Sequence, residues 1–120
     1  MSCPQFIVRS FAVRTAAHLA HLTSTSYARH VALGGFYEAL TALVDRYAEV
    51  YMGLEGRIKS FPTSPVLGNY ADDPVALLEE YMGFLAEEMA EDHGSEAMKN
   101  ILAELEELTA TSIYKLKHLR

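Results

Sequence analysis

Between His30 and Tyr51 apolar residues recur every three or four positions: Leu33, Phe36, Tyr37, Leu40, Leu43, Val44, Tyr47 and Tyr51. That spacing admits one amphipathic helix and little else. A second stripe runs beside the first. At about 100° per residue, Glu38, Asp45 and Glu49 fall roughly 80°, 60° and 100° around the axis from His30, so four titratable groups share one face. The apolar stripe fixes the class of structure. The polar stripe is where chemistry is to be sought, although a solvated helix face has the same pattern.

The rest of the chain falls into place around this helix. A first helix is predicted from about Pro4, suited to a first turn, to Leu22, burying Phe6, Ile7, Phe11, Val13, Ala17, Leu19 and Leu22. Thr23, Ser24, Thr25 and Ser26 are short hydroxylated residues that compete with the helix backbone, so the chain reverses there and the second helix starts near Ser26. Gly34 and Gly35 each cost that helix about 1 kcal/mol relative to alanine, which points to close approach of another helix at their level. From Gly53 to Asp73 the periodicity stops, broken by Gly53, Gly56, Pro62, Pro65, Gly68 and Asn69. A connection of about 20 residues, with room for a short helical turn, reads as a crossover between distant helix ends.

Asp73-Pro74 is a strong helix start, and the third helix runs to about Asp92, burying Leu78, Tyr81, Met82, Leu85 and Met89. Its acidic residues Glu79, Glu80, Glu87, Glu88, Glu91 and Asp92 read as a solvated face. His93-Gly94 is the stop, and Ser95 opens a fourth helix with Met98, Ile101, Leu102, Leu105, Leu108, Ile113, Leu116 and Leu119 as its stripe. Nothing favours strands. The expectation is an all-α fold, one domain over residues 1–120: a ferritin-like four-helix bundle with its long connection between the second and third helices.

Composition closes off several functions. Half of the 120 residues are apolar and 22% are charged, so the chain carries enough apolar surface to fold by itself. A net charge of −6 with scattered basic residues disfavours direct DNA binding. The single cysteine, Cys3, excludes a disulfide framework or a cysteine zinc site within one chain and fits a reducing compartment. No stretch of about 18 apolar residues is present, and Arg9 and Arg14 interrupt the N-terminal region, so neither a membrane span nor a secretory leader is expected and the protein reads as cytoplasmic.

Histidines and carboxylates together suggest a metal site. His18 and His30 lie six residues either side of Ser24, so an antiparallel hairpin places them at similar height; a tighter turn brings in His21 instead, since Ala-His-Leu occurs at both Ala17 and Ala20. Asp45 and Glu49 are one helical turn apart and can converge. His30 and Asp45, however, are about 22 Å apart along one helix, whereas a metal takes ligands at roughly 2 Å. Two copies of the second helix, antiparallel about a two-fold axis near Glu38, bring His30 of one chain opposite Asp45 and Glu49 of the other. Glu38 is then either a bridging carboxylate or an ion-pair partner of Arg29 or Arg46. Mixed imidazole and carboxylate ligation suits iron, manganese or zinc and disfavours copper(I). Taken singly, His21, His93 and His118 read as surface or satisfied core residues, and Tyr37 and Tyr47 as packing residues that are also placed to donate electrons.

The order His18, His30, Asp45, Glu49, with steps of twelve, fifteen and four, resembles the ferroxidase ligands of the Dps family of miniferritins. His30, Leu33, Gly35, Phe36, Ala39, Leu40, Asp45, Ala48 and Glu49 match that family's pattern over about one quarter of the chain, and Ser60-Phe61-Pro62 in the connection is similar more weakly. The resemblance implies a site shared between two-fold related subunits, ferrous iron oxidised there, usually with peroxide, and storage in a twelve-subunit shell. It makes His18 and His30 ligands from one subunit and Asp45 and Glu49 ligands from its neighbour. Leu19 stands where the family has tryptophan, and the lysine-rich tail some members use on DNA is missing. The segment from His21 to His30, HLTSTSYARH, is also similar to short phage-encoded proteins. Two functions are therefore expected: an iron-binding homo-oligomer with possible ferroxidase activity, or a non-catalytic helical dimer, an interaction module with a vestigial or absent metal site.

Overall fold

The structure, a computed structural model, describes residues 2–65, 67, 70, 72–91 and 94–120. Its elements are four helices: α1 (Cys3–Thr23), α2 (Tyr27–Glu55), α3 (Pro74–Ala90) and α4 (Glu96–His118). No strand occurs among the described residues. Each helix starts on a side-chain cap from Ser2, Ser26, Asp73 or Ser95, which accepts a hydrogen bond from a first-turn amide that has no partner inside the helix. The 29 residues of α2 reach about 43 Å at 1.5 Å per residue, which matches the 44 Å long axis of the molecule. This helix is the spine of the fold. It continues through Gly53, where the sequence suggested a stop, and ends only at Gly56, whose φ of 99° is open to glycine at little cost.

Helix α1 packs on α2 and α3, and α4 packs on α2 and α3, so the helices follow the cyclic order α1, α2, α4, α3. The connection explains that order. Pro62 and Pro65 lie beside Gln5 and Arg9 near the start of α1, Leu67 and Tyr70 beside Ala16 and Ala20, and Asp72 beside the turn at Ser24. The segment thus travels the length of α1 and lets α3 begin at the end where α2 began, the one-crossover arrangement expected from its length. The Tyr70 hydroxyl ties the segment to α3 by donating to Glu80, which also accepts from Arg9 of α1 at 2.7 Å. Among its described residues there is no helical turn. No helix is long and apolar enough to cross a membrane among the described residues.

Leu33, Phe36, Leu40, Val44 and Tyr47 of α2 meet Phe6, Leu78, Tyr81, Leu85, Leu102 and Leu105 in one core. Phe6 touches the Tyr47 ring at 5.1 Å and stacks on Phe84 at 5.5 Å. Several apolar assignments shift by a position. Leu19 and Leu22 are 59% and 64% exposed, and α1 buries Ser10, Ala12 and Ala20 instead. Met89 and Leu119 are exposed, whereas Thr109 and Ser112 are buried. Asp92 and His93, expected at the end of the third helix, lie outside the described residues, as do Gly68 and Asn69; α3 is capped at Glu91.

The largest correction is Glu88, which is 1% exposed rather than part of a solvated face. Its side chain occupies the core position where the sequence suggested Met89, and it accepts a hydrogen bond from the Tyr47 hydroxyl at 3.1 Å. A buried carboxylate is costly without donors, so Tyr47 offsets part of the desolvation. Burial and then the charge of Glu88 push the Tyr47 hydroxyl up, and the same two causes push the Cys3 thiol from 9.0 up to about 12. The folded state therefore favours the protonated thiol. The associated stability is complete below pH 9 and is lost as pH rises from 9 toward 12. At pH 8, alkylation of Cys3 is expected to run at least tenfold slower in the native protein than in urea. The thermal midpoint should fall above pH 9, less steeply in Cys3→Ala. A thiol that reacts equally fast in both states contradicts this burial.

Candidate metal-binding face

Three residues, Ser24 to Ser26, connect α1 to α2. The Ser24 hydroxyl donates to the Ser26 carbonyl at 3.1 Å and accepts from the Ser26 amide at 3.2 Å, while the Ser26 hydroxyl accepts from the Arg29 amide. Hydroxyl side chains thus close the turn and start the next helix, as their composition suggested. A turn this short brings the last turn of α1 against the first turn of α2.

There His21 and His30 hold each other. Nδ1 of His21 lies 2.5 Å from the His30 carbonyl oxygen, and Nδ1 of His30 lies 3.0 Å from the His21 carbonyl oxygen. A carbonyl only accepts, so each Nδ1 carries the proton and donates. When the rings are neutral, the remaining lone pair of each is on Nε2. The rings stack with centroids 3.7 Å apart and planes inclined by 19°. Gly34 makes room for this: a Cβ there would lie 3.1 Å from Cε1 and 3.3 Å from Nδ1 of His21. The close approach expected at Gly34 and Gly35 is therefore to an imidazole and concerns Gly34 alone, since a Cβ at Gly35 meets nothing within 4 Å.

The histidine register differs from the one centred on Ser24. His21, not His18, faces His30, and His18 stacks on Tyr37 at 4.3 Å. Side chains on both helices lean toward their own N-termini, which carries an α1 residue toward α2 positions farther from the turn. His18 and His21 remain neighbours, one turn apart on α1, with centroids 6.1 Å apart and planes inclined by 55°. The two pairs have different chemistry. An imidazole lone pair lies in the ring plane, so stacked His21 and His30 cannot both aim at one ion in this geometry. Two imidazoles on one ion at 2.0–2.1 Å per bond have centroids roughly 5–6 Å apart, near the His18–His21 separation.

The carboxylates stand apart from these rings. Glu38, Asp45 and Glu49 are exposed along α2, and Tyr37, which meets His18, precedes Asp45 by eight residues or about 12 Å of helix. Arg46 pairs with Glu104 at 3.5 Å rather than with Glu38, and among the described residues neither Arg29 nor Arg46 forms an ion pair with Glu38. Also among the described residues, no three His, Cys, Asp or Glu side chains gather closely enough to hold an ion. Tyr47, considered as an electron donor, is committed to Glu88 in the core. The sequence did not reveal the stacking role of Tyr37, for which an aromatic one helical turn from Gly34 is the only signal.

The two glycines separate fit from propensity. Gly35→Ala should raise stability by up to about 1 kcal/mol, the helix-propensity gain, because its Cβ enters open space. Gly34→Ala carries the same gain but presses on a ring held by two hydrogen bonds and a stack, so it should lower the thermal midpoint. Equal effects of the two substitutions in chemical or thermal unfolding contradict the clamp.

A family of unknown function, DUF5856, matches residues 21–116, a segment that opens on His21 and takes in His30, Glu38, Asp45 and Glu49 but not His18. The chain is also 32% identical over 65 residues to the uncharacterized 14.6 kDa protein in the mobD-ri intergenic region of Enterobacteria phage T4. That alignment covers 54% of this chain and 50% of the phage protein, so the chain spans about half the length of the curated relative it matches. No solved structure matches. With most of its length matched, from the histidine clamp to the last turns of α4, the chain belongs to the DUF5856 family.

Proposed function

We propose that this protein binds a divalent transition metal at a site completed by a second copy of the chain. His18 and His21 supply imidazole nitrogen, and Asp45 and Glu49 of the second copy supply carboxylate oxygen. The observation that carries this reading is the hydrogen bond from His21 Nδ1 to the His30 carbonyl. Metal-binding histidines usually donate their other ring nitrogen to such an acceptor, which fixes the tautomer and leaves Nε2 available. His30, first read as a ligand itself, takes the role of holding His21. A single chain offers half a site, two nitrogens on α1, while the exposed carboxylates lie too far along α2 to join them.

Iron is the expected ion, with zinc or manganese suited by the same donors. Homodimerisation follows from the reading, with Glu38 near the two-fold axis. Oxidation of ferrous iron and assembly of a twelve-subunit shell are supported by the resemblance to the Dps miniferritins alone.

Elemental analysis and solution mass after incubation with ferrous iron, then desalting, test the proposal. The wild type should retain metal as a dimer or larger assembly. His21→Ala and Asp45→Ala should each reduce retained metal at least tenfold with helical circular dichroism unchanged. Unchanged metal in both variants overturns the assignment, and a metal-free wild-type dimer favours the helical interaction module.

A further inference from the structure

On the opposite side of α2 from the histidine clamp, the first turns of α2 and the last turns of α4 leave an open groove of about 910 Å³. Its floor is small: Ala32 and Gly35 of α2 and Ser112 of α4. Its walls are apolar and unusually accessible, with Tyr27 82%, Val31 51% and Leu119 47% exposed. Lys115, His118 and Arg120 also line it. Among the described residues neither Lys115 nor Arg120 has a carboxylate within 4.0 Å, whereas nearby Lys117 is paired with Glu79 at 3.7 Å. A chain of net charge −6 therefore places unpaired cations around an accessible apolar groove.

We infer that this groove docks an acidic amphipathic helix of a partner protein. A trough between two packed helices is complementary to a third helix, whose ridges enter between theirs. The small floor permits close approach: a Cβ on Gly35 meets nothing within 4 Å, so the space belongs to an incoming side chain. Aliphatic residues at three- and four-residue spacing contact Tyr27, Val31 and Leu119, and carboxylates on the flanks of the same helix meet Lys115 and Arg120. Charge selects the class of partner. The basic rim favours an acidic helix over a basic one, while the acidic remainder of the chain opposes attachment to an anionic lipid surface. This inference does not depend on metal binding.

The test uses the full chain and a designed, fluorescently labelled helical peptide with a leucine stripe flanked by glutamates, compared with a lysine-flanked twin. The acidic peptide should bind at least tenfold more tightly than the basic one and weaken as salt is raised. Gly35→Leu, whose Cβ meets nothing within 4 Å and whose side chain takes up the floor, should reduce binding at least tenfold with helical circular dichroism unchanged, and so should Lys115→Glu combined with Arg120→Glu. Equal binding of both peptides, no binding, or full binding to Gly35→Leu overturns the proposal. Two further results also overturn it: a solution dimer that Gly35→Leu dissociates, which makes a second copy the occupant, and sedimentation of the wild type with anionic vesicles but not with neutral ones.

Discussion

The pair of hydrogen bonds that His21 and His30 exchange with each other's backbone is the constraint from which the arrangement of the α1–α2 face follows. The His21 carbonyl near the end of α1 accepts from the capping Ser24 amide at 3.4 Å and takes a second hydrogen bond from the His30 ring at 3.0 Å. The return bond ties the other ring to α2. With the rings stacked at 3.7 Å, a Cβ at position 34 would press on the His21 ring at 3.1 Å. Helix register, a glycine within a helix and the tautomers of two histidines are consequences of one contact. The same bonds that hold the hairpin orient a potential ligand, so structural and metal-binding roles for His21 are compatible.

Much of the architecture was legible because it rests on local rules. Ser26, Asp73 and Ser95 announce the starts of α2, α3 and α4, and the apolar spacing along α2 and α4 places their buried faces. The length of the connection implied a crossover, and the cyclic order of helices agrees. What local rules did not reveal was substitution between neighbours across the core. Glu88 takes an interior position because Tyr47, forty-one residues earlier, brings a hydroxyl to it. Ser10 is buried for the same kind of reason, sharing a 2.8 Å hydrogen bond with Tyr81. A polar residue is admitted to a core by a distant partner, which spacing within one helix does not encode.

The candidate site was legible in its residue types and less so in its grouping. His18, His21, His30 and Tyr37 come together on one face of α1 and α2 as two stacks, His18 on Tyr37 and His21 on His30, joined by a tilted contact between His18 and His21. Counting from the turn gave His18 the place beside His30, because such counting treats side chains as perpendicular to the helix. Their lean toward the N-terminus alters which rungs meet. Asp45 and Glu49 remain as the sequence placed them, exposed and a long way along α2 from the imidazoles. Helix α2 therefore presents distinct surfaces: a histidine clamp toward α1, an acidic outer stripe, and beside α4 an apolar groove with a cationic rim.

The most direct measurement is of the ring protons themselves. Long-range nitrogen–proton correlation spectra of the imidazoles, recorded with the rings neutral, distinguish the two tautomers of His21 and His30. The reciprocal contact requires both to carry hydrogen on Nδ1, with Nε2 unprotonated. Either ring found with its proton on Nε2 breaks one of the two bonds and contradicts the account.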